Sequence, residues 1–245
     1  MKVNENVSVQ FNQELEHVIQ LLMKMGGMVE DQLECAIIGV CDNDGGAAET
    51  VLKIEPEVDE LEIRIEELCT HILIERQPTA RELRMVLAIS RITRDLERMG
   101  DQAFKVAQQT LELMNEGSQI SICRSAIRNM GENVSKMLNN VLNAFLRSDT
   151  QAALEVVRSD KVVDERYGSA IRELSTYMME DPRSIGQTIH ILWMLRAIER
   201  IGDHARNISE QIIYLVSGEE VRHSTLSEME QQVSDFEDQG ESEPS

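Results

Sequence analysis

Apolar residues recur every three or four positions along almost the whole chain. Phe11, Leu15, Val18, Leu22, Met25, Val29, Leu33, Ala36 and Val40 mark one face of a long amphipathic helix. Asp42-Asn43-Asp44-Gly45-Gly46 then supplies turn residues and a cap for the next helix. Val58, Leu61, Ile65, Leu68 and Ile72 form a second stripe that runs to Glu75. Gln77-Pro78-Thr79 breaks it, and Thr79 with Glu82 reads as a capping box. A third helix spans about Ala80–Asn115 and ends at Gly117. Three more are predicted at about Ser121–Leu146, Thr150–Met179 and Arg183–Val216, with turns at Ser148-Asp149 and Asp181-Pro182. Pro56 falls where the second helix should already be running. Either that helix kinks there or it starts at the proline.

The second half repeats the first. Glu97-Arg98-Met99-Gly100-Asp101-Gln102-Ala103 matches Glu199-Arg200-Ile201-Gly202-Asp203-His204-Ala205 at five of seven positions, and Met25-Gly26 recurs as Met130-Gly131. No segment has the alternation of a strand. The predicted fold class is all-α: six helices as two tandem-repeated three-helix bundles, residues 8–117 and 120–217, related by pseudo-twofold symmetry. From Gly218 the periodicity ends. Residues 219–245 carry nine acidic side chains and one arginine, so 218–245 reads as an acidic, disordered tail.

Charge narrows the function. Forty-four acidic against 24 basic residues give 245 residues a net charge of −20. That balance, with only eight aromatics, argues against nucleic acid as a partner. The first ten residues lack the apolar run of a secretory signal. The longest apolar runs, Ala36–Cys41 and Ile191–Leu195, fall far short of the roughly 20 residues that span a bilayer. Cys35, Cys41, Cys69 and Cys123 form no Cys-x-x-Cys pair and read as reduced thiols. The expected location is the cytoplasm, with membranes reached only through partners.

Eight carboxylates form four matching pairs at i, i+4: Glu55/Asp59, Glu97/Asp101, Asp160/Asp164 and Glu199/Asp203. Residues four apart share one helix face, where like charges repel unless solvent, a counter-charge or a metal intervenes. Glu55 with Asp101, and Asp59 with Glu97, are equidistant from Pro78 in the predicted turn. Asp160 with Asp203, and Asp164 with Glu199, are equidistant from the Asp181-Pro182 turn. In antiparallel hairpins each set of four lies at one level. Such an oxygen cluster suits Mg, Mn or Fe rather than zinc. Two plainer readings stand beside it. The carboxylates can be solvated, or neutralised by Arg94, Arg98, Arg196 and Arg200 on the same helices.

Other constellations carry less. Glu14 and His17 make one Glu-x-x-His unit, whereas carboxylate-bridged di-iron bundles use two, and no second occurs. No phosphate-binding glycine loop, nucleophile elbow or Cys/His pairing is evident, so no catalytic residue is assigned.

Met25-Gly26-Gly27-Met28-Val29-Glu30, Arg76-Gln77-Pro78-Thr79-Ala80, Leu96-Glu97-Arg98-Met99-Gly100-Asp101, Tyr177-Met178-Met179-Glu180-Asp181 and Ile198-Glu199-Arg200-Ile201-Gly202-Asp203 together resemble the PhoU family. The similarity runs from about Phe11 to His223, and its twice-occurring Glu-Arg-x-Gly-Asp segment is highly specific. It implies two three-helix bundles and multinuclear metal clusters on the eight carboxylates. Pro56, directly after Glu55, departs from the pattern. The resemblance also implies a negative regulator of phosphate-starvation signalling and phosphate uptake, forming a homodimer. Its implied partners are the ATPase subunit of a phosphate ABC transporter and a phosphate-sensing histidine kinase. The alternatives are a carboxylate-bridged iron oxidase and a metal-free helical scaffold.

Overall fold

In a computed structural model of the chain, residues 2–117, 122–222 and 224–241 are described. Among them lie seven α-helices and no strand: α1 Lys2–Asp42, α2 Gly45–Arg76, α3 Ala80–Asn115, α4 Arg124–Arg147, α5 Thr150–Glu180, α6 Ile185–Ser217 and α7 Leu226–Glu241. The fold is all-α, with one helix more than the six expected. The extra element lies inside the stretch read as a disordered tail. Its acidic composition hides an apolar stripe of Leu226, Met229, Val233 and Phe236 at helical spacing. Met229 and Val233 are buried, and Arg158 of α5 grips Glu230 through Nε and Nη2 at 2.9 and 2.6 Å. At its start the Thr225 amide donates to Glu228 at 2.6 Å while the Glu228 amide approaches Thr225 Oγ1 at 3.4 Å, a reciprocal cap.

The helix boundaries follow local chemistry. Asp44 caps α2 by accepting from the Gly46 and Ala47 amides, and Asp149 caps α5 by accepting from the Ala152 amide. Asp181 accepts from the Arg183 amide at a single 3-10 turn, Pro182–Ser184, before α6. Gln77 and Ser148 take left-handed backbone conformations at the ends of α2 and α4, and Gly117 (φ 72°) follows α3. Thr79 is the N-cap of α3, but its side chain makes no capping bond; only its carbonyl accepts from the Glu82 amide. The expected capping box is therefore absent there. Pro56 neither starts α2 nor divides it: the helix runs unbroken from the Asp44 cap, with the proline inside.

Helices α1, α2 and α3 pack pairwise on one another, as do α4, α5 and α6; α3 lies against α6, α1 against α4, and α7 against α5 and α6. Eight of the nine residues of the first apolar stripe, from Phe11 to Val40, are buried, Leu15 being half-buried. Reciprocal close approaches join α1 to α4. A Cβ on Gly26 would meet Leu142 at 2.7 Å, and one on Gly131 would meet Ile37 at 2.5 Å. The α3–α6 seam carries a polar ladder: Arg91 Nη1 donates to Gln211, His204 Nδ1 meets Asp95 at 2.9 Å, and His190 Nδ1 meets Gln109 at 2.7 Å. Rising numbers on α3 meet falling numbers on α6, so the two helices are antiparallel. Beside His190 sits Trp193, the chain's one tryptophan, 53% exposed and edge-on to the imidazole at 5.7 Å.

Candidate metal centre

The carboxylate pairs project from four helices: Glu55 and Asp59 from α2, Glu97 and Asp101 from α3, Asp160 and Asp164 from α5, Glu199 and Asp203 from α6. The two hairpins bring them together in fours. Glu55 feels the charges of Asp59, Asp101 and Glu97, and Glu199 those of Asp203, Asp164 and Asp160. Glycines make the approach possible. A Cβ on Gly100 would stand 3.4 Å from Glu55 Oε2, and one on Gly202 would stand 3.2 Å from Asp160 Oδ1. The Gly of each Glu-Arg-x-Gly-Asp segment thus sits beneath a carboxylate of the facing helix.

Burial sets the electrostatics. Asp160 is 2% exposed and Glu199 7%, while Asp59 and Asp164 face solvent. Loss of water, followed by the neighbouring carboxylates, lifts Glu199 to about 7 and Asp160 to about 6, against Arg196 and Arg206 respectively. Burial likewise lifts Glu55 to about 7, opposed by a hydrogen bond from Gln32. Glu97 and Asp203 are also raised, burial again leading.

Arginines take part, though not all those expected. Arg98 lies 3.3 Å from Glu97 and 3.2 Å from Asp101, Lys105 lies 3.8 Å from Asp101, and Arg196 pairs with Glu199. Arg94 turns instead to Glu66 at 3.5 Å. Sequence reasoning missed Arg206, 3.6 Å from Asp160, and Gln32 of α1, which is fully buried and donates to Glu55. The signal for Gln32 was present: it is an amide one position before Leu33 on the buried side of α1.

These counter-charges leave acceptors over. Asp160 Oδ1 and Glu199 Oε2 are buried without a hydrogen-bond donor. Buried carboxylate oxygens are costly unless compensated. Asp160, Asp164 and Asp203 can each offer an oxygen so that all three lie within 4.8 Å of one another, and among the described residues no other trio of His, Cys or carboxylates does so. Carboxylate oxygens are the donors that hard cations such as Mg, Mn or Fe take, so the chemistry of this trio fits such an ion. The corresponding residues on α2 and α3 do not converge as closely. Glu14 takes no part. It pairs with Arg76 at 2.6 Å, and Arg76 lies 21 residues, about 30 Å of helix, beyond Glu55 on α2. His17 lines the same distant pocket, so the Glu-x-x-His unit is not joined to the carboxylate clusters.

The PhoU domain model matches the chain twice, at residues 22–110 and 127–212. The phosphate-specific transport system accessory protein PhoU homolog of Pseudomonas aeruginosa is 46% identical over 231 residues, covering 94% of this chain and 95% of that protein. Its Escherichia coli counterpart is 41% identical over 223 residues, covering 91% and 92% respectively. The crystal structure of PhoU from Pseudomonas aeruginosa superposes with a TM-score of 0.83 at 47% identity, over 85% of this chain and 100% of that one. The phosphate transport system regulatory protein PhoU from Streptococcus pneumoniae gives 0.79 at 27% identity, over 86% and 99%. By sequence along nearly its whole length and by fold, the chain belongs to the PhoU family.

Proposed function

We propose that the protein is a cytoplasmic regulatory adaptor of phosphate homeostasis. It restrains phosphate-starvation signalling and phosphate uptake by linking the ATPase subunit of a phosphate ABC transporter to its sensor histidine kinase. Near-complete coverage by relatives named as accessory proteins of the phosphate-specific transport system carries this reading. A surface made of long helices suits an adaptor, since helix faces engage partner domains without a reaction centre. No described helix is long and apolar enough to cross a membrane, so the transporter is reached as a docked partner.

Residues 8–117 and 120–217 form two tandem repeats related by a pseudo-twofold, and a homodimer is the working assembly. The double family match and the reciprocal contacts of Gly26 with Leu142 and Gly131 with Ile37 support the repeat. The eight carboxylates hold hard cations, Mg, Mn or Fe, whose positive charge would relieve the repulsion within each hairpin. Asp160, Asp164 and Asp203 provide the most converged oxygens for this.

Deletion of the gene in its native host, with phosphate abundant, tests the regulatory role. Starvation genes should switch on; continued repression would refute it. Metal analysis of protein purified without chelator, beside an Asp101→Ala/Asp203→Ala variant, tests the cation reading. Equal metal in both would remove it.

A further inference from the structure

The two carboxylate clusters are related in sequence but differ in their third wall. At Gly202 that wall belongs to α4: the Met137 methyl and Val134 lie 3.7 Å from the Cβ position. At Gly100 it belongs to α1, where Gln32 Oε1 lies 2.9 Å from the Cβ position and Gln32 Nε2 donates to Glu55 Oε2. The alignment that sets Met25-Gly26 on Met130-Gly131 also sets Gln32 on Met137. One half of the molecule fills this place with a thioether and the other with an amide.

The amide is an expensive choice. Gln32 is fully buried and its Oε1 has no donor. A buried acceptor left unpaired costs about 1–3 kcal/mol, which a methionine in the same place avoids. Core packing alone does not account for it.

We propose that the clusters are inequivalent cation sites, that the α5–α6 cluster fills first, and that Gln32 sets the lag at α2–α3 by holding Glu55 until a cation arrives. This rests on the cation reading above. A cation entering the α2–α3 cluster must take Glu55 from an amide donor. No donor competes from the Met137 side, and there three carboxylates already stand within reach of one ion. Basic side chains do not produce this order. Arg98 and Lys105 pair at the α2–α3 cluster and Arg196 and Arg206 at α5–α6, where Asp203 also feels Arg200 and His204, so the cluster that fills first is the one more opposed by positive charge. Once Glu55 is taken, turning the Gln32 amide presents Oε1, a neutral hard oxygen of the kind these ions accept.

Mn²⁺ titrated into metal-free protein at about pH 8, where free carboxylates are ionised, tests the order, with unbound ion measured by electron paramagnetic resonance. Asp59→Asn/Asp101→Asn and Asp164→Asn/Asp203→Asn assign the stages. Two stages about tenfold or more apart in Kd are expected, the tighter one lost in Asp164→Asn/Asp203→Asn. Gln32→Met should strengthen the weaker stage, and Met137→Gln should weaken the stronger, with circular dichroism reporting the fold of each variant. Equal stages, a tighter stage lost in Asp59→Asn/Asp101→Asn instead, or an unchanged gap in Gln32→Met would overturn the order while leaving cation binding intact. No bound Mn²⁺ in the unaltered protein would overturn both.

Discussion

At Gly202 a single hydrogen atom separates the α6 backbone from Asp160 Oδ1, and a methyl group would stand 3.2 Å from that oxygen. Gly202→Ala must push a buried carboxylate aside by a few tenths of an ångström. Helicity should be unchanged and Mn²⁺ affinity at the α5–α6 cluster about tenfold lower, as for displaced supporting residues at metal sites. A titration matching the unaltered protein would contradict this. The eight carboxylates were legible in the sequence because two periodicities coincide: a spacing of four on each helix and equal distances from each turn. The sequence signalled Gln32 only as an amide on the buried side of α1, and Arg206 only as a cation near Asp203 on α6. That they meet Glu55 of α2 and Asp160 of α5 depends on how the helices pack, which spacing alone leaves open.

Among whole elements, the first six helices were legible because each buries a long apolar stripe between identifiable turns. Helix α7 was hidden by composition: six acidic residues between Glu228 and Glu241 outweigh four apolar ones at the right spacing. Its attachment is correspondingly slight, resting on Met229, Val233 and the Arg158–Glu230 pair. Met229→Ala should cost about 2–3 kcal/mol locally and release α7 without unfolding the rest. Hydrogen exchange would show faster amides in α7 alone; acceleration throughout α5 and α6 would mean that α7 belongs to the cooperative core. Gly131→Ala is the harsher change, since its methyl would overlap Ile37 at 2.5 Å and force α1 and α4 apart. An overpacking loss of about 1–3 kcal/mol in global stability is expected from denaturant melts.

Across the molecule, the raised carboxylates make stability depend on pH in a direction opposite to that of most proteins. Burial, reinforced by neighbouring charges, moves Glu55 and Glu199 from 4.5 to about 7 and Asp160 from 3.8 to about 6. Across that window the folded, metal-free protein keeps protons that the unfolded chain has released, so its stability falls as pH rises. The melting temperature without metal should decline from about pH 4.5 to about pH 7. With saturating Mn²⁺ the same groups are held ionised, and the slope should reverse. A metal-free melting temperature that climbs over this range would contradict the assignment. The α3–α6 seam was less legible than either cluster, because its ladder joins residues about a hundred positions apart with no shared turn to set their register.

Trp193 sits on that seam, half in water and edge-on to His190, whose imidazole lies within 4.0 Å of Glu112 of α3 and of Glu116 just past its end. Because it is the chain's one indole, its emission is an optical label already built into the place where the halves meet. Acrylamide should quench it readily in the intact protein. A partner that covers the α6 face would shift the spectrum to the blue, and one that docks elsewhere would leave the light unchanged.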